Sequence, residues 1–432
     1  MMLCRLRSTL CRPSYVNQLR VLGVVRSKSS VVASSALVKH IELEDNDGML
    51  HVHWKNNQIN RYPYVYLRDN CQCPKCYNSL LLQRNLDSIS EVDLDVKPKA
   101  VEMRDDGKQI HITWPNEHIS QFNSAWLHNK KLPESDDLTG KMKLNKKGVE
   151  FWNKSMLQGK LVRFNYEDIM TKKSALFEWL HTLHSVGIAL IEEAPSGMKP
   201  IAVERLAKRV GYVQDSHYGH TFDVNAKFDA NNLAYTTADL PLHCDVPQLE
   251  YYPGVQMLHC LKQAPTEGGE SIFVDGFFIA QEIKEQHPRL FNLLATTPIP
   301  FVDIGKDEFG DFHLMNKRKT IELDELGHIV RFAYSNHMRD YFMDSPVEKV
   351  QLLYQAYLIL SQMMRDPVNM IEYKLSPGEV VSFNNSRVLH GRRGYTITGE
   401  GNRHLQGCYM DWDLVNARLR NLATVLGKTF ED

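Results

Sequence analysis

Leu242-His243-Cys244-Asp245 is the stretch that decides the fold, and Leu389-His390-Gly391-Arg392 is its distant partner. On an extended backbone, His243 and Asp245 project to the same face, because side chains alternate along a strand. Both can therefore bind one ion. A second histidine, for which His390 is the candidate, would complete a 2-His-1-carboxylate facial triad with open positions on a non-haem Fe(II). The alternative is that these are ordinary core or surface histidines, since the chain has 18 of them.

An arginine follows the second stretch in a segment of alternating character. Arg403 lies in Asn402-Arg403-His404-Leu405-Gln406-Gly407-Cys408-Tyr409, whose apolar and polar positions indicate a strand. A guanidinium group binds carboxylates through two parallel hydrogen bonds. Arg403 is therefore a candidate for binding a dicarboxylic co-substrate, and a surface arginine is the alternative.

Composition excludes several classes of protein. The chain has 432 residues, 43% of them apolar, which is long enough for two or three globular domains. A net charge of −1 argues against a general nucleic-acid binder. No unbroken apolar run reaches the roughly 18 residues of a membrane span, so we expect a protein that does not act in a membrane.

The first forty residues differ from the rest of the chain. They carry arginines and lysines among serines and small apolar residues, and the first acidic residue is Glu42. This composition is typical of a mitochondrial transit peptide, which we assign to residues 1–38. It predicts a location in the mitochondrial matrix. The alternatives are a disordered basic tail and a cytoplasmic protein.

Residues 39–130 are predicted to form a small β-rich domain that binds zinc. Cys71-Gln72-Cys73-Pro74-Lys75-Cys76 places three thiols within six residues, which in a reducing compartment favours a metal over disulfides. A tetrahedral zinc site needs a fourth ligand. His118 is the best candidate and His111 the second. Such a closed site would be structural.

Residues 131–164 are polar, rich in lysine and predicted to be a linker. The predicted catalytic domain, residues 165–432, contains many short strands with few βαβ alternations. This pattern predicts a mainly β fold with some α, a double-stranded β-helix or jelly roll with helical decoration. Among its predicted elements are a helix over 173–186 and strands over 233–237, 255–261 and 271–275.

Several stretches resemble the gamma-butyrobetaine hydroxylase and trimethyllysine dioxygenase family of Fe(II) and 2-oxoglutarate oxygenases, and the resemblance runs from about Tyr62 to Leu426. They are Leu67-Arg68-Asp69-Asn70-Cys71, Thr113-Trp114-Pro115, Tyr218-Gly219-His220-Thr221, Asp229-Ala230-Asn231-Asn232-Leu233-Ala234-Tyr235-Thr236-Thr237, Pro253-Gly254-Val255-Gln256 and Leu389-His390-Gly391-Arg392-Arg393.

The resemblance implies a set of ligands and cofactors. It implies Fe(II) at His243, Asp245 and His390, 2-oxoglutarate at Arg403, ascorbate as reductant, and structural Zn(II) at Cys71, Cys73, Cys76 and His118. It also implies a homodimer and, as substrate, a small quaternary ammonium compound.

The expected reaction is hydroxylation of gamma-butyrobetaine at carbon 3 to L-carnitine with O2 and 2-oxoglutarate, giving succinate and CO2, as the last step of carnitine biosynthesis. The same chemistry on trimethyllysine is the alternative. An alternative of another class is an inactive jelly-roll module whose zinc-dependent domain binds a partner.

Aromatic faces attract a trimethylammonium group, which has no hydrogen-bond donor. The resemblance implies that the substrate-binding residues are Tyr218, Phe222, Tyr235 and Tyr409 around the cation, and Asn232 with Asn336 at the carboxylate. From the residues alone, core packing is the preferred explanation of these aromatics, and the resemblance reverses that preference; the two asparagines could equally be turn residues. Three residues depart from the family pattern: Cys244, which would place an oxidisable thiol near the iron, Phe222 and Val246.

Overall fold

The computed structural model describes residues 36–86, 92–132, 146, 148–157, 161–197, 199–226, 233–307, 310–340, 345–397 and 403–430. Contacts divide the chain into two units, Met1–Thr139 and Gly140–Asp432. The predicted transit peptide, except for residues 36–38, lies outside the described residues. In the part of the chain that the structure describes, no helix is both long and apolar enough to cross a membrane.

The smaller unit is built from short antiparallel strands. Its elements are β1 (Val38–Glu44), β2 (Met49–Trp54), β3 (Ile59–Pro63), α1 (Tyr64–Asp69), β4 (Tyr77–Asn78), β5 (Gln83–Arg84), β6 (Ala100–Arg104), β7 (Gln109–Thr113), β8 (Ile119–Asn123) and α2 (Ser124–Asn129). They form the sheets β1-β2-β3 and β6-β7-β8 and the ribbon β4-β5. The predicted β-rich character of this region is confirmed.

This unit contains an internal repeat that sequence analysis missed. Each sheet of three antiparallel strands is followed directly by a short helix, α1 or α2. In the first copy, the indole N–H of Trp54 donates to Asn60 Oδ1 at 2.9 Å. In the second copy, the indole N–H of Trp114 donates to Ser120 Oγ at 2.8 Å. In both copies the acceptor lies six residues after the tryptophan. Both tryptophans are buried in one shared core. The two copies therefore bury their apolar faces against each other.

The larger unit contains the remaining strands and helices. Its elements are α3 (Lys154–Leu157), β9 (Arg163–Asn165), α4 (Tyr166–Thr171), α5 (Lys173–Ser185), β10 (Ile188–Glu192), α6 (Ala202–Val210), β11 (Phe222–Asn225), β12 (Leu240–His243), β13 (Val255–Lys262), β14 (Ser271–Asp275), α7 (Gly276–Gln286), α8 (Pro288–Thr296), β15 (Pro298–Asp307), β16 (Gly310–Lys319), β17 (Ile321–Leu323), β18 (Ile329–Phe332), α9 (Val347–Arg365), β19 (Ile371–Tyr373), β20 (Val380–Asn384), β21 (Val388–Arg392), β22 (His404–Met410) and α10 (Trp412–Leu426).

Two sheets of this unit share an apolar core. One has six strands in the order β11-β22-β13-β20-β10-β9 and the other has four in the order β12-β21-β14-β19. Leu258 of β13, Phe273 of β14 and Phe383 of β20 pack together in this core. The arrangement is a double-sheet jelly roll with helices, so the predicted fold class of this part is confirmed.

Side chains on a strand alternate between the two faces of a sheet. The face of each sheet that points away from the shared core is covered by helices. Met257 of the six-stranded sheet packs with Trp179 of α5 and Leu419 of α10. Val274 of the four-stranded sheet packs with Leu353 of α9. Full burial of each such side chain contributes about 1.5–3 kcal/mol to the free energy of unfolding. The helices thereby hold the sheets in place around the site described below.

One local prediction was wrong and one element was missed. The segment 233–237 is not a strand, since a 3-10 helix covers Leu233–Tyr235. The long antiparallel hairpin of β15 and β16 was not predicted. Trp152 and Leu157, within the predicted linker, are buried in the larger unit. The exact domain borders stay a prediction.

Candidate active site

Strand pairing brings the two histidines together. β12 and β21 are antiparallel neighbours, and His243 lies directly opposite His390 in their register. The centroids of the two imidazole rings are 4.2 Å apart. Asp245 lies just beyond the end of β12, with Oδ1 3.1 Å from His243 Nε2 and 3.5 Å from His390 Nε2. One donor atom from each side chain thus lies within 4.8 Å of the others, so the three could hold one metal ion.

Neighbouring groups orient these side chains. His243 Nδ1 lies 2.8 Å from the carbonyl oxygen of Pro241, which fixes the proton on Nδ1 and leaves Nε2 as a ligand atom. Asp245 Oδ2 accepts hydrogen bonds from Gln256 Nε2 at 2.6 Å and from the Tyr409 hydroxyl at 2.7 Å. Oδ1 is the oxygen that faces the histidines. Such outer partners are typical of protein metal sites.

The backbone on either side of Asp245 is also fixed. The Asn385 side chain accepts a hydrogen bond from Asp245 N at 2.8 Å and donates one to Asp245 O at 3.1 Å. Val246, which follows, has a φ of +48°, a conformation rare for a β-branched residue. Strain of this kind persists only where surrounding contacts impose it, and it clusters at functional sites.

The electrostatics favour a divalent cation. Burial acts to raise the pKa of Asp245, but the imidazoles of His390 and His243 outweigh it and hold the pKa below its usual value. Burial, helped by His243, lowers the pKa of His390 to about 3. The carboxylate is therefore ionised and this imidazole neutral, which is the protonation state that binds a metal.

The triad lines a cavity that also contains a buried arginine. Arg403 is 3% exposed, and its Nε has no hydrogen-bond partner among the described residues. Burial, followed by the charge of Arg392, lowers the pKa of Arg403 to about 10, and it stays positively charged. Arg392 instead donates to three backbone carbonyls, at Ala234, Thr236 and Ala238. Arg392 keeps only its Nε without a partner among the described residues, whereas the guanidinium of Arg403 is held there by one long hydrogen bond, 3.5 Å from Nη2 to Ser271 Oγ. Arg403 therefore has more donors available to a carboxylate ligand in this cavity.

The four predicted aromatic side chains, Tyr218, Phe222, Tyr235 and Tyr409, all line the same cavity. Phe222 lies between two of them, with ring centroids 5.0 Å from Tyr409 and 6.1 Å from Tyr218. Gly407, opposite Phe222 on β22, makes this possible, because a Cβ there would lie 2.4 Å from the Phe222 ring. The aromatic faces therefore form one wall, which suits an organic cation.

Of the two asparagines predicted to bind the substrate carboxylate, the structure describes one. Asn336 is exposed and is not among the residues that line the cavity. The segment turns its next residue, His337, into the cavity instead. Asn232 lies outside the described residues.

Cys244 is fully buried and donates to Phe332 O at 3.1 Å. Burial raises the pKa of its thiol to about 12, which disfavours the reactive thiolate form.

Sequence analysis did not find Gln256, Asn385 or His337. Asn385 lies 140 residues from Asp245 in the chain, and no local pattern signals such a contact. Gln256 stands in a quoted family stretch but shows no signal of its own. It acts from β13, whose other side chains mostly pack in the core.

A second group of ligand atoms lies in the smaller unit. His118 Nε2 is 3.3 Å from Cys71 Sγ, 3.6 Å from Cys73 Sγ and 3.5 Å from Cys76 Sγ. The buried Arg68 lies beside Cys76, with Nη1 3.6 Å from its sulfur. Three thiolates and a neutral imidazole around a dication carry one negative charge, which this guanidinium compensates. The donor set fits zinc. His111 is not part of the group.

Comparisons with known proteins agree with this geometry. Residues 149–409 match the family described as taurine catabolism dioxygenase TauD, TfdA family, and residues 41–128 match the N-terminal region of gamma-butyrobetaine hydroxylase-like proteins. Human gamma-butyrobetaine dioxygenase is 38% identical over 89% of this chain and 97% of its own length. The enzyme of that name from Pseudomonas sp. (strain AK-1) is 32% identical over 85% and 92%. Rat mitochondrial trimethyllysine dioxygenase is 31% identical over 85% and 83%.

Fold, triad and family match together define a non-haem dioxygenase that depends on Fe(II) and 2-oxoglutarate. Within that class, the chain belongs to the TauD and TfdA family, on the branch that contains the gamma-butyrobetaine and trimethyllysine dioxygenases.

Proposed function

We propose that this protein hydroxylates gamma-butyrobetaine at carbon 3, forming L-carnitine as the last step of carnitine biosynthesis. O2 and 2-oxoglutarate are consumed, and succinate and CO2 are released. One observation carries the proposal: the same cavity contains the His243, Asp245 and His390 triad, a wall of four aromatic side chains and the buried Arg403. An aromatic wall selects a quaternary ammonium group, which offers no hydrogen-bond donor. The 38% identity to the human enzyme supports the choice of substrate.

Each group of residues in the cavity would have a distinct role in the reaction. His243, Asp245 and His390 would hold Fe(II), which when bound supplies the activation of O2 together with 2-oxoglutarate. Arg403 binds the distal carboxylate of 2-oxoglutarate. Gln256 donates to Asp245 and keeps its ligand oxygen turned toward the histidines.

The aromatic side chains hold the trimethylammonium group. Apolar residues of the cavity, among them Leu258, Phe273 and Leu405, exclude water from the reacting carbon.

Trimethyllysine is the second candidate substrate, because a trimethyllysine dioxygenase is 31% identical over most of both chains. We also propose that the protein is located in the mitochondrial matrix. The basic composition of residues 1–38 supports this, and the rat relative is named mitochondrial. A homodimer and a requirement for ascorbate complete the proposal.

The deciding experiment measures succinate formed from 2-oxoglutarate by the purified protein with Fe(II) and ascorbate. Gamma-butyrobetaine, trimethyllysine and buffer are compared, and the amine products are identified by mass spectrometry. We expect gamma-butyrobetaine to stimulate turnover and carnitine to form in equal amount. Stimulation by trimethyllysine alone would transfer the assignment to the second candidate. Stimulation by neither amine would refute both.

Replacing Arg403 with glutamine is expected to raise the KM for 2-oxoglutarate about 10- to 100-fold. The reason is that hydrogen bonds from a charged donor contribute about 1.5–3 kcal/mol each, and the cavity keeps them from water. The KM for the amine should change little. Steady-state kinetics with each substrate varied in turn test this.

Arg393→Gln is the matched control for Arg403. Arg393 lies on the surface and pairs with Glu372. An unchanged KM for 2-oxoglutarate in Arg403→Gln would show that the co-substrate carboxylate binds elsewhere.

We further propose that Cys71, Cys73, Cys76 and His118 bind one structural zinc ion in a domain over residues 39–130. A linker over 131–164 and a catalytic domain over 165–432 would follow. The short distances among these ligand atoms and the guanidinium of Arg68 support the zinc site.

Removing a zinc ligand is expected to unfold the segment around the three cysteines, because this segment has only a small apolar core of its own, separate from the core that the two sheets share. The purified protein should contain one zinc per chain, and Cys76→Ser should lose it and lower the melting temperature. Metal analysis and calorimetry measure the two effects. Cys260→Ser, at a cysteine outside the cluster, should keep its zinc. A zinc content near zero in the unmodified protein would contradict the assignment.

A further inference from the structure

His337 is a side chain of the active-site cavity to which no role has been assigned. It is half-buried and lines the cavity with the triad. Its ring stands edge-on to that of His243, with centroids 4.9 Å apart and an interplanar angle of 75°. Its Nδ1 is buried without a hydrogen-bond partner among the described residues. A buried polar atom of this kind calls for a partner that the protein does not supply.

The backbone holds His337 in place from both sides. Ser335 is buried and forms an antiparallel bridge with His243. On the other side, Met338 O accepts a hydrogen bond from Val302 N at 2.9 Å. The imidazole is therefore positioned before any ligand binds, as a specific contact requires.

Several other polar groups of the cavity are already engaged. Gln256 and Tyr409 donate to Asp245, Arg392 donates to backbone carbonyls, and Arg403 is assigned to 2-oxoglutarate. His337 is not part of the group of ligand atoms around the candidate iron site. An imidazole has an N–H to donate in both of its protonation states, so it suits a carboxylate at any ordinary pH.

We infer that His337 donates a hydrogen bond to the substrate carboxylate and thereby helps to determine substrate specificity. The inference rests on the proposed function, since it takes the substrate to be a zwitterion. Tyr409 of the aromatic wall contacts Asp245, and His337 contacts His243, so the two binding groups flank the metal ligands. A zwitterion held at both ends places its middle carbon near the iron. In gamma-butyrobetaine, that carbon is carbon 3.

The test measures binding by calorimetry under anaerobic conditions, with Fe(II) and 2-oxoglutarate present. His337→Phe keeps a ring against His243 but has no donor, and His337→Asn restores a donor. Two ligands are compared: gamma-butyrobetaine, and propyltrimethylammonium, which lacks the carboxylate. We expect His337→Phe to weaken gamma-butyrobetaine binding about tenfold or more and leave propyltrimethylammonium within about twofold. His337→Asn should recover part of the loss.

Other outcomes overturn the inference. An equal loss for both ligands in His337→Phe would show that the ring acts by shape alone. Unchanged gamma-butyrobetaine binding would show that His337 makes no contact. A loss in Asn336→Ala but not in His337→Phe would assign the carboxylate to the exposed neighbour.

The failure of the proposed function gives a different result. If the unmodified protein binds trimethyllysine and not gamma-butyrobetaine, the proposed substrate is wrong. The same variants measured with trimethyllysine then decide the role of His337, because that substrate also has a carboxylate.

Discussion

His390→Ala should reduce 2-oxoglutarate turnover by at least about 1,000-fold and abolish stoichiometric Fe(II) binding. Loss of an outer partner already costs about 10- to 100-fold in metal affinity, and loss of a direct ligand must cost more. Asp245 and His243 would then be the only members of the triad left to hold the ion. Equilibrium dialysis with Fe(II) under anaerobic conditions and the succinate assay measure the two effects.

The fold should survive this change, because His390 Nδ1 has no protein partner among the described residues, and Asp245, which loses His390 Nε2, keeps His243, Gln256 and Tyr409 as partners. Circular dichroism should therefore match that of the unmodified protein. His51→Ala is the control, since His51 lies in the smaller unit and pairs with Glu44. Iron binding that survives in His390→Ala would remove this histidine from the triad.

Arg387→Met should lower the free energy of unfolding by about 3–5 kcal/mol, because it leaves a buried carboxylate without its counter-charge. Arg387 and Asp275 are both completely buried, with Nη2 2.8 Å from Oδ2 and Nε 2.9 Å from Oδ1. Arg387 also donates to the carbonyl of Ser185 at 2.9 Å and to that of Glu150. Asp275 accepts a hydrogen bond from Trp152 N at 2.9 Å. The pair therefore fastens the segment that precedes α3 to the jelly roll.

Urea denaturation measures this loss. The control is Arg393→Met, which breaks an exposed pair with Glu372 and should cost less than about 1 kcal/mol. The double variant Arg387→Met with Asp275→Leu should recover part of the stability, since no lone charge remains buried. Recovery is incomplete because Asp275 also caps α7 by accepting from Phe277 N. A loss below about 1 kcal/mol in Arg387→Met would show that water reaches the pair.

The sequence predicts this site where the chemistry is local. The spacing of His243 and Asp245 needs only the alternation of an extended chain. The antiparallel pairing that places His390 opposite His243 is a long-range fact, so the residues alone made His390 only a candidate and the family resemblance strengthened it. For a related reason the sequence does not separate Asn336 from its neighbour His337: within one turn, a shift of a single residue decides which side chain faces the cavity.

Two errors in the fold have identifiable causes. Residues 233–237 include Tyr235, Thr236 and Thr237, which are residue types common in strands. The carbonyls of Ala234 and Thr236 are instead bound by the guanidinium of Arg392, so no neighbouring strand is needed. The β15–β16 hairpin was missed because its less exposed face is mixed. On β16 that face includes Phe312 and Leu314 but also Asn316 and Arg318. A face of that composition blurs the period of two on which strand prediction depends.

The repeat in the smaller unit divides the proposed zinc ligands unequally. The three cysteines follow the first copy, and His118 lies in the hairpin turn between β7 and β8 of the second. Cys76 and His118 are 42 residues apart in the chain. At about 5–20 residues per second, a ribosome needs roughly two to eight seconds to add that stretch. During that interval the nascent chain would present three thiols without their fourth candidate ligand, so the proposed metal site could close only after the first two strands of the second copy have been made.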